Sequence, residues 1–328
     1  MKFLPTILLL LPLLTACNSK LDFGGDTPGT KKAVIGFSNN MHITRADATL
    51  ADIQTNGFSV WGGYEGNTVF DGRKVTYNDS NSEWGYENTE YWTYNIYDFH
   101  GVYPTPDANS TDKNYTVTWN NTTKELNITG FDASSGIDLL HSPLTGLDGS
   151  NTNISGKPLV MNFNHILTNV NVELIQTDAN DEIVVTGIGI NLPTKGDYNW
   201  QETNYNTQQI RGAWITYEDS YLLVRNENLN VTLSDNQYAT ALSDLLCIPQ
   251  TINKDEIYLF VRYDYKPNGI GQFIKDNVYT VALPSGKWNI GDKVVYRGSI
   301  DADMQIFFGT PTIEDWGEDM AGGTIIIK

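Results

Sequence analysis

The chain has 328 residues, with 39 Asp and Glu against 21 Lys and Arg, for a net charge of −18. That balance excludes the phosphate-neutralising surface on which nucleic-acid affinity depends, so no nucleic-acid partner is expected. With 12% aromatic and 18% charged residues the composition is that of a globular chain, long enough for two domains.

Taken in chain order, residues 1–16 of MKFLPTILLLLPLLTACNSK read as a signal peptide: Lys2, an apolar run from Phe3 to Leu14, then small residues. The run is too short to span a bilayer, which takes roughly 20 apolar residues. LLTAC, at 13–17, looks like a bacterial lipobox, which makes Cys17 the expected lipidation site. Residues 17–32 form a polar tether. With Cys17 carrying lipid, Cys247 is the one thiol left and no internal disulfide is expected. Its neighbours Leu246 and Ile248 mark it as a buried, inert side chain.

The stretch AVIGFSNNMHITR, 33–45, supplies an edge strand through Val34, Ile35, Phe37 and Ile43. Arg45 follows it and is the only Lys or Arg between Lys32 and Arg73. From there strand follows strand, with helical periodicity nowhere sustained for three turns; the best helical candidate is ATALSDLL, 239–246. In HILTNVNVELI, Ile166, Thr168, Val170, Val172 and Leu174 fall on one side and Asn169, Asn171 and Glu173 on the other. In DEIYLFVRYDY the same period aligns Ile257, Leu259, Val261, Tyr263 and Tyr265. Turn chemistry at Asp71-Gly72, Asn78 to Asn81, Asn120-Asn121, Asp178 to Asp181, Pro267 to Gly269 and Ser285-Gly286 separates the strands. Many short strands with such punctuation indicate all-β sandwiches with Greek-key connections. The Gly, Ser, Thr and Asn-rich passage 134–157 reads as a connector, giving β-sandwich domains at 33–157 and 158–328.

Catalytic and metal motifs are missing. His42, His100, His141 and His165 are scattered without ligand spacing, and no HExxH, GxSxG or P-loop occurs. His165 reads as a strand residue packed at a domain junction. Carboxylates such as Glu83, Glu87, Glu90, Asp301 and Asp303 are too plentiful to single out a hydrolytic pair. Residues 78–83 lack calcium-loop spacing and read as a turn. No enzyme, metal or cofactor is expected. The aromatic cluster Trp84, Tyr86, Tyr91, Trp92, Tyr94 and Tyr97 has two readings, a sugar-stacking platform on a surface glycan-binding lipoprotein or cross-strand core packing. The first requires Trp84 and Trp92 to be exposed.

FSVWGGY (58–64), EYWTYNIYDFHGVYP (90–104), IDLLHSP (137–143), LVMNFNHILTNVNVEL (159–174), CIPQTINKDEIYLFVRY (247–263) and the terminal WNIGDKVVYRGSID and TIEDW, in that order after a lipobox, resemble the fimbrillin family of the Bacteroidales, subunits of type V pili. The resemblance implies two tandem transthyretin-like β-sandwich domains, exported as a lipoprotein, anchored in the outer membrane and exposed at the surface in a fimbrium. It implies other fimbrillin subunits as partners, with a host or bacterial surface ligand for adhesion. It also implies an arginine-specific cut, placed here at Arg45-Ala46, that removes the first strand and opens a groove for a neighbour's C-terminal strand. AGGTIIIK would supply that donor through Gly323, Thr324, Ile325, Ile326 and Ile327. Arg45 reads equally as a solvated loop charge, and GGTIIIK as the last strand of its own domain.

Overall fold

The computed structural model describes residues 33–38, 41–43, 48–201, 212–217, 221–301 and 303–316. Among them the fold is all-β, built on four main sheets. The first sets β1 (His42–Ile43), β9 (Asn162–His165), β8 (Leu140–Asp148), β5 (Ile96–Tyr103), β2 (Phe58–Tyr64), β3 (Asn67–Asn78) and β4 (Glu83–Gly85) side by side in that order. The second runs β13 (Ala213–Thr216), β12 (Lys195–Gln201), β7 (Glu125–Asp132), β6 (Thr116–Asn120). The third runs β16 (Ala239–Cys247), β10 (Thr168–Gln176), β21 (Asp292–Ile300), β22 (Ile306–Phe308), with β23 (Thr312–Asp315) also on β21. The fourth runs β14 (Tyr221–Asn226), β11 (Glu182–Pro193), β18 (Tyr258–Lys266), β19 (Ile274–Ala282), with β15 (Val231–Thr232) also on β11. β17 (Thr251–Ile252) and β20 (Gly286–Lys287) pair with each other. Two short helices, α1 (Leu50–Asn56) and α2 (Thr152–Ser155), interrupt the strands.

The third and fourth sheets form a sandwich. Val170, Val172 and Leu174 of β10 meet Ile188 and Ile190 of β11 and Leu259 and Val261 of β18 in one apolar core. The first sheet is different, because both of its faces are covered. Along β5 the alternate residues Tyr97 and Phe99 enter one core, while His100 and Val102 turn to the other side and are equally buried. On that other side Trp61 and Val102 pack against Leu126, Ile128, Phe131, Tyr198 and Trp200 of the second sheet. Two-sided burial is why FSVWGGY and IYDFHGVY carry few polar positions.

Pairing runs across residue 157. β9 lies beside β8, and β12 beside β7, so strands from both sides of that position share the first two sheets. The passage 134–157, expected to be a connector, holds β8 and α2.

Three local expectations are corrected. ATALSDLL is not helical but forms β16, because pairing to β10 and burial of Ala241, Leu246 and Cys247 outweigh its helix-forming residues. Asn171 faces a bulge there: its Oδ1 accepts from Asp244 N at 3.0 Å, Asp244 has φ +55°, and Asn169 Nδ2 donates to the Asp244 carboxylate at 3.1 Å. Asn169 and Asn171 are therefore buried, although the alternation put them on the open side. Asp71-Gly72 is not a chain reversal but a bulge within β3 opposite Trp61. Gly72 has φ +66°, and a Cβ there would lie 3.0 Å from the Trp61 ring, so two constraints select glycine.

Two of the scattered histidines meet between the first two sheets. His100 Nδ1 and His141 Nε2 are 3.0 Å apart, and His141 Nδ1 lies 3.2 Å from the Tyr198 hydroxyl. Burial lowers His141 to about 3. It lowers His100 well below the ordinary imidazole range too, with the charges of His141 and Lys124 adding to the effect. Both rings thus stay neutral in the folded state at pH 5, whereas unfolded imidazoles protonate below about 6.5. The unfolded state then binds more protons, so stability is fully present above about pH 6.5 and declines below it. Between pH 7 and 5 the His141 ring is expected to cost about 2 kcal/mol, and urea unfolding of His141→Gln should lose about that much less than wild type over the same interval. Equal losses in the two proteins would show that the pair is not the source.

Candidate functional site

Among the described residues, no full sheet covers the face of the first sheet turned away from the second. Ile35, Phe37, Met41, Ile53, Trp84 and Trp92 close it, from the N-terminal segment, α1, β4 and the loop after it. α1 is fixed by a capping box: Thr49 Oγ1 accepts from Asp52 N, and the Asp52 carboxylate accepts from Thr49 N at 2.8 Å. This helix places Ile53 wholly out of solvent.

Residues 33–38 thread between two stretches of backbone. On one side Ile35 N donates to Glu90 O and Trp92 N donates to Ala33 O, both at 2.9 Å. On the other, Ser38 N donates to Leu159 O and Leu159 N to Gly36 O, both at 2.7 Å. The first contact is antiparallel, through Val34 and Tyr91; the second is parallel, through Phe37 and Leu159, and continues as β1 beside β9 with Ile43 opposite Phe163. The segment is therefore an inserted strand with partners on both flanks.

Its side chains follow the period of two. Val34 points outward, while Ile35 and Phe37 are buried. Phe37 meets Phe58, Phe70 and Tyr86 edge-on, with ring centroids 5.6, 6.1 and 5.9 Å away. The Tyr86 hydroxyl donates to Ile35 O and accepts from Glu90 N, and burial raises its pKa. Arg73 braces the same loop, with Nη1 2.9 Å from both Glu90 Oε1 and Asn88 O. Met41, also buried, was not among the residues the pattern selected: it keeps the period of two with Ile35 and Phe37, but the polar Asn39 between them interrupts the apolar signal.

Cys17, Arg45, Ala46, Gly323, Thr324, Ile325, Ile326 and Ile327 lie outside the described residues. Trp84 and Trp92 are 8% and 2% exposed, which corrects the sugar-platform reading at those two rings: they are core. Within the same cluster only Tyr91 and Tyr94 are exposed, while Tyr97 is buried against Trp92 at 4.9 Å. His165 is buried in β9, with Nδ1 2.8 Å from an Asp138 carboxylate oxygen and its ring stacked on Trp316 at 4.0 Å. Cys247 is buried, and burial raises its thiol pKa far above the ordinary range. Among the described residues no group of three or more His, Cys, Asp or Glu is placed to hold a metal.

A fimbrial protein from Bacteroides vulgatus has a similar fold, with TM-score 0.59 and 18% identity over 86% of this chain and 99% of its own. A proposed cell adhesion protein from Bacteroides uniformis gives TM-score 0.50 and 13% identity over 87% of this chain and 98% of its own. No curated protein matches the chain. The model of the fimbrillin-like family matches residues 44–316, which is most of the sequence, and the chain belongs to that family.

Proposed function

We propose that the protein is a structural or accessory subunit of a cell-surface type V fimbrium, active in adhesion and joined to its neighbours by strand exchange at residues 33–43. Membership of the fimbrillin-like family supports the fimbrial or adhesive role and a structural rather than catalytic one. The observation that carries the exchange reading is the inserted strand, which buries Ile35, Phe37 and Met41 and whose covalent link to the downstream chain runs through residues 44–47. A cut at Arg45-Ala46 would free it from everything downstream. The family match begins at residue 44 and leaves the inserted strand outside it.

Energetics support a replacement rather than simple loss. Each buried apolar side chain contributes roughly 1.5–3 kcal/mol, and each backbone hydrogen bond about 0.5–1.5 kcal/mol. Loss without substitution would expose an apolar slot and leave donors and acceptors unpaired along both flanks, at Glu90 to Trp92 and at Leu159. A strand from a second copy restores both terms. Gly323, Thr324, Ile325, Ile326 and Ile327 have the composition for it: Ile325 and Ile327 can fill the two depths now held by Ile35 and Phe37, and the glycines give the segment freedom to leave its own domain. Before assembly the chain would travel as a lipoprotein held in the outer membrane through Cys17, with residues 17–32 as its tether.

Treatment of the exported protein with an arginine-specific protease should give a product beginning at Ala46 that forms oligomers on gel filtration. Arg45→Gln should stay uncut at that bond and monomeric, and a chain lacking residues 323–328 should be cut yet remain monomeric. Oligomers from the Arg45→Gln protein, or none from the cut wild type, would end the exchange reading. For the anchor, Cys17→Ser should move the protein from the membrane fraction to the soluble fraction; unchanged membrane retention would refute lipid attachment at this position.

A further inference from the structure

Where the first two sheets meet lies a cleft of about 730 Å³ to which no described residue of the inserted strand contributes. Its walls come from the β2–β3 turn at Glu65 and Gly66, from residues 94–96 leading into β5, and from the β6–β7 turn at Asn121 to Lys124, with Gly146 of β8 closing one end. The first two sheets thus both contribute, and the volume falls within the roughly 300–1,000 Å³ of small-molecule sites.

The floor is polar, buried and fixed. The Asp98 carboxylate takes hydrogen bonds from Lys124 Nζ and, at 2.8 Å, from Gly146 N. Asn121 accepts from Trp119 Nε1 and donates to Thr68 Oγ1 at 2.8 Å. Lys124 holds φ +57°, a conformation rare for a side chain of that size, and it is this backbone that brings its ammonium across to the other sheet. The rim is exposed and mixed: Tyr94 and Ile96 are 55% and 53% exposed, and Glu65 and Thr122 in the same lining are exposed too.

We propose that this cleft binds a neutral saccharide. An exposed tyrosine ring offers the flat surface on which the C–H face of a pyranose stacks, and Ile96 extends it. Hydroxyls of the sugar find acceptors and donors in Glu65, Thr122 and Asn95. Charge decides the class. Lys124 is neutralised by Asp98, so Glu65 leaves the lining with a net negative charge, which repels uronic and sialic acids and phosphate esters. A single uncompensated carboxylate is also too few oxygen ligands for a divalent cation. The site is independent of strand exchange and stands or falls without it.

Saturation-transfer NMR and titration of the full exported chain with methyl α-D-mannoside, methyl β-D-galactoside and N-acetylneuraminic acid test the assignment. Saturable binding of at least one neutral glycoside is expected, with none of the acid. Tyr94→Ala should weaken that binding about tenfold or more while the variant still unfolds in one cooperative transition. Glu65→Lys should admit N-acetylneuraminic acid. Failure of both neutral glycosides to bind, preference of the wild type for the acid, or binding by Tyr94→Ala equal to wild type would each overturn the proposal.

Discussion

Among the described residues the structure depends on one sheet with two buried faces, of which a second sheet covers one. β2 and β5 send alternate side chains into separate cores, Phe58, Val60, Tyr97 and Phe99 to one side and Trp61, His100 and Val102 to the other. The second sheet closes the latter side with a continuous layer. On the former the cover is assembled from short pieces, and the piece between residues 33 and 43 is held by backbone bonds on both flanks rather than by a long ladder on one. A discontinuous cover is what would let one piece be exchanged, as proposed, while the sheet beneath stayed intact.

That arrangement also separates stability from replaceability. The slot is defined by groups that remain when the strand is gone: Phe58, Phe70 and Phe163 below, Tyr86 and Trp92 on one flank, Leu159 on the other. Arg73 and Glu90, bridged at 2.9 Å, hold the first flank in place independently of the inserted strand. A preformed slot lowers the ordering cost that an incoming strand must overcome, since only the strand itself has to be fixed. The requirement on the newcomer is accordingly loose in sequence and strict in pattern. It needs two apolar residues two positions apart and an extended backbone, which many β-branched segments provide.

Much of this was legible in the residues. The period of two in DEIYLFVRYDY gives β18 and its buried side, and Ile35 and Phe37 carry the same signal in the N-terminal strand. What periodicity does not carry is the identity of the neighbour. ATALSDLL has helix-forming residues, and its strand state is imposed by β10, seventy residues earlier in the chain; Asn169 and Asn171 are buried because they stitch the bulge that this pairing creates. Trp84 and Trp92 read alike as platform or core, since an aromatic pattern does not say which face of a sheet is covered. His100 and His141 come together because β5 and β8 are adjacent, a fact of topology with no local trace. α1 did leave a trace, Thr49 three residues before Asp52 with Gly57 at the end, but it is two turns long and the surrounding strand pattern hides it.

The acidity of the chain bears on how copies can meet. A net charge of −18 sets copies against each other at long range, and neither a broad charged face nor a sparse polar contact would hold them together. Screening confines that repulsion to about 8 Å at physiological ionic strength, so an attachment that acts only at contact is little affected by it. Backbone hydrogen bonds and apolar side chains inserted into a dry slot are of that kind: their strength does not depend on the sign of the surface, and they form only when the strand is fully seated. Acidity would then disfavour loose association between copies while leaving a join of the proposed kind intact. Arg45, the one Lys or Arg between Lys32 and Arg73, stands where cleavage would have to occur for the slot to open.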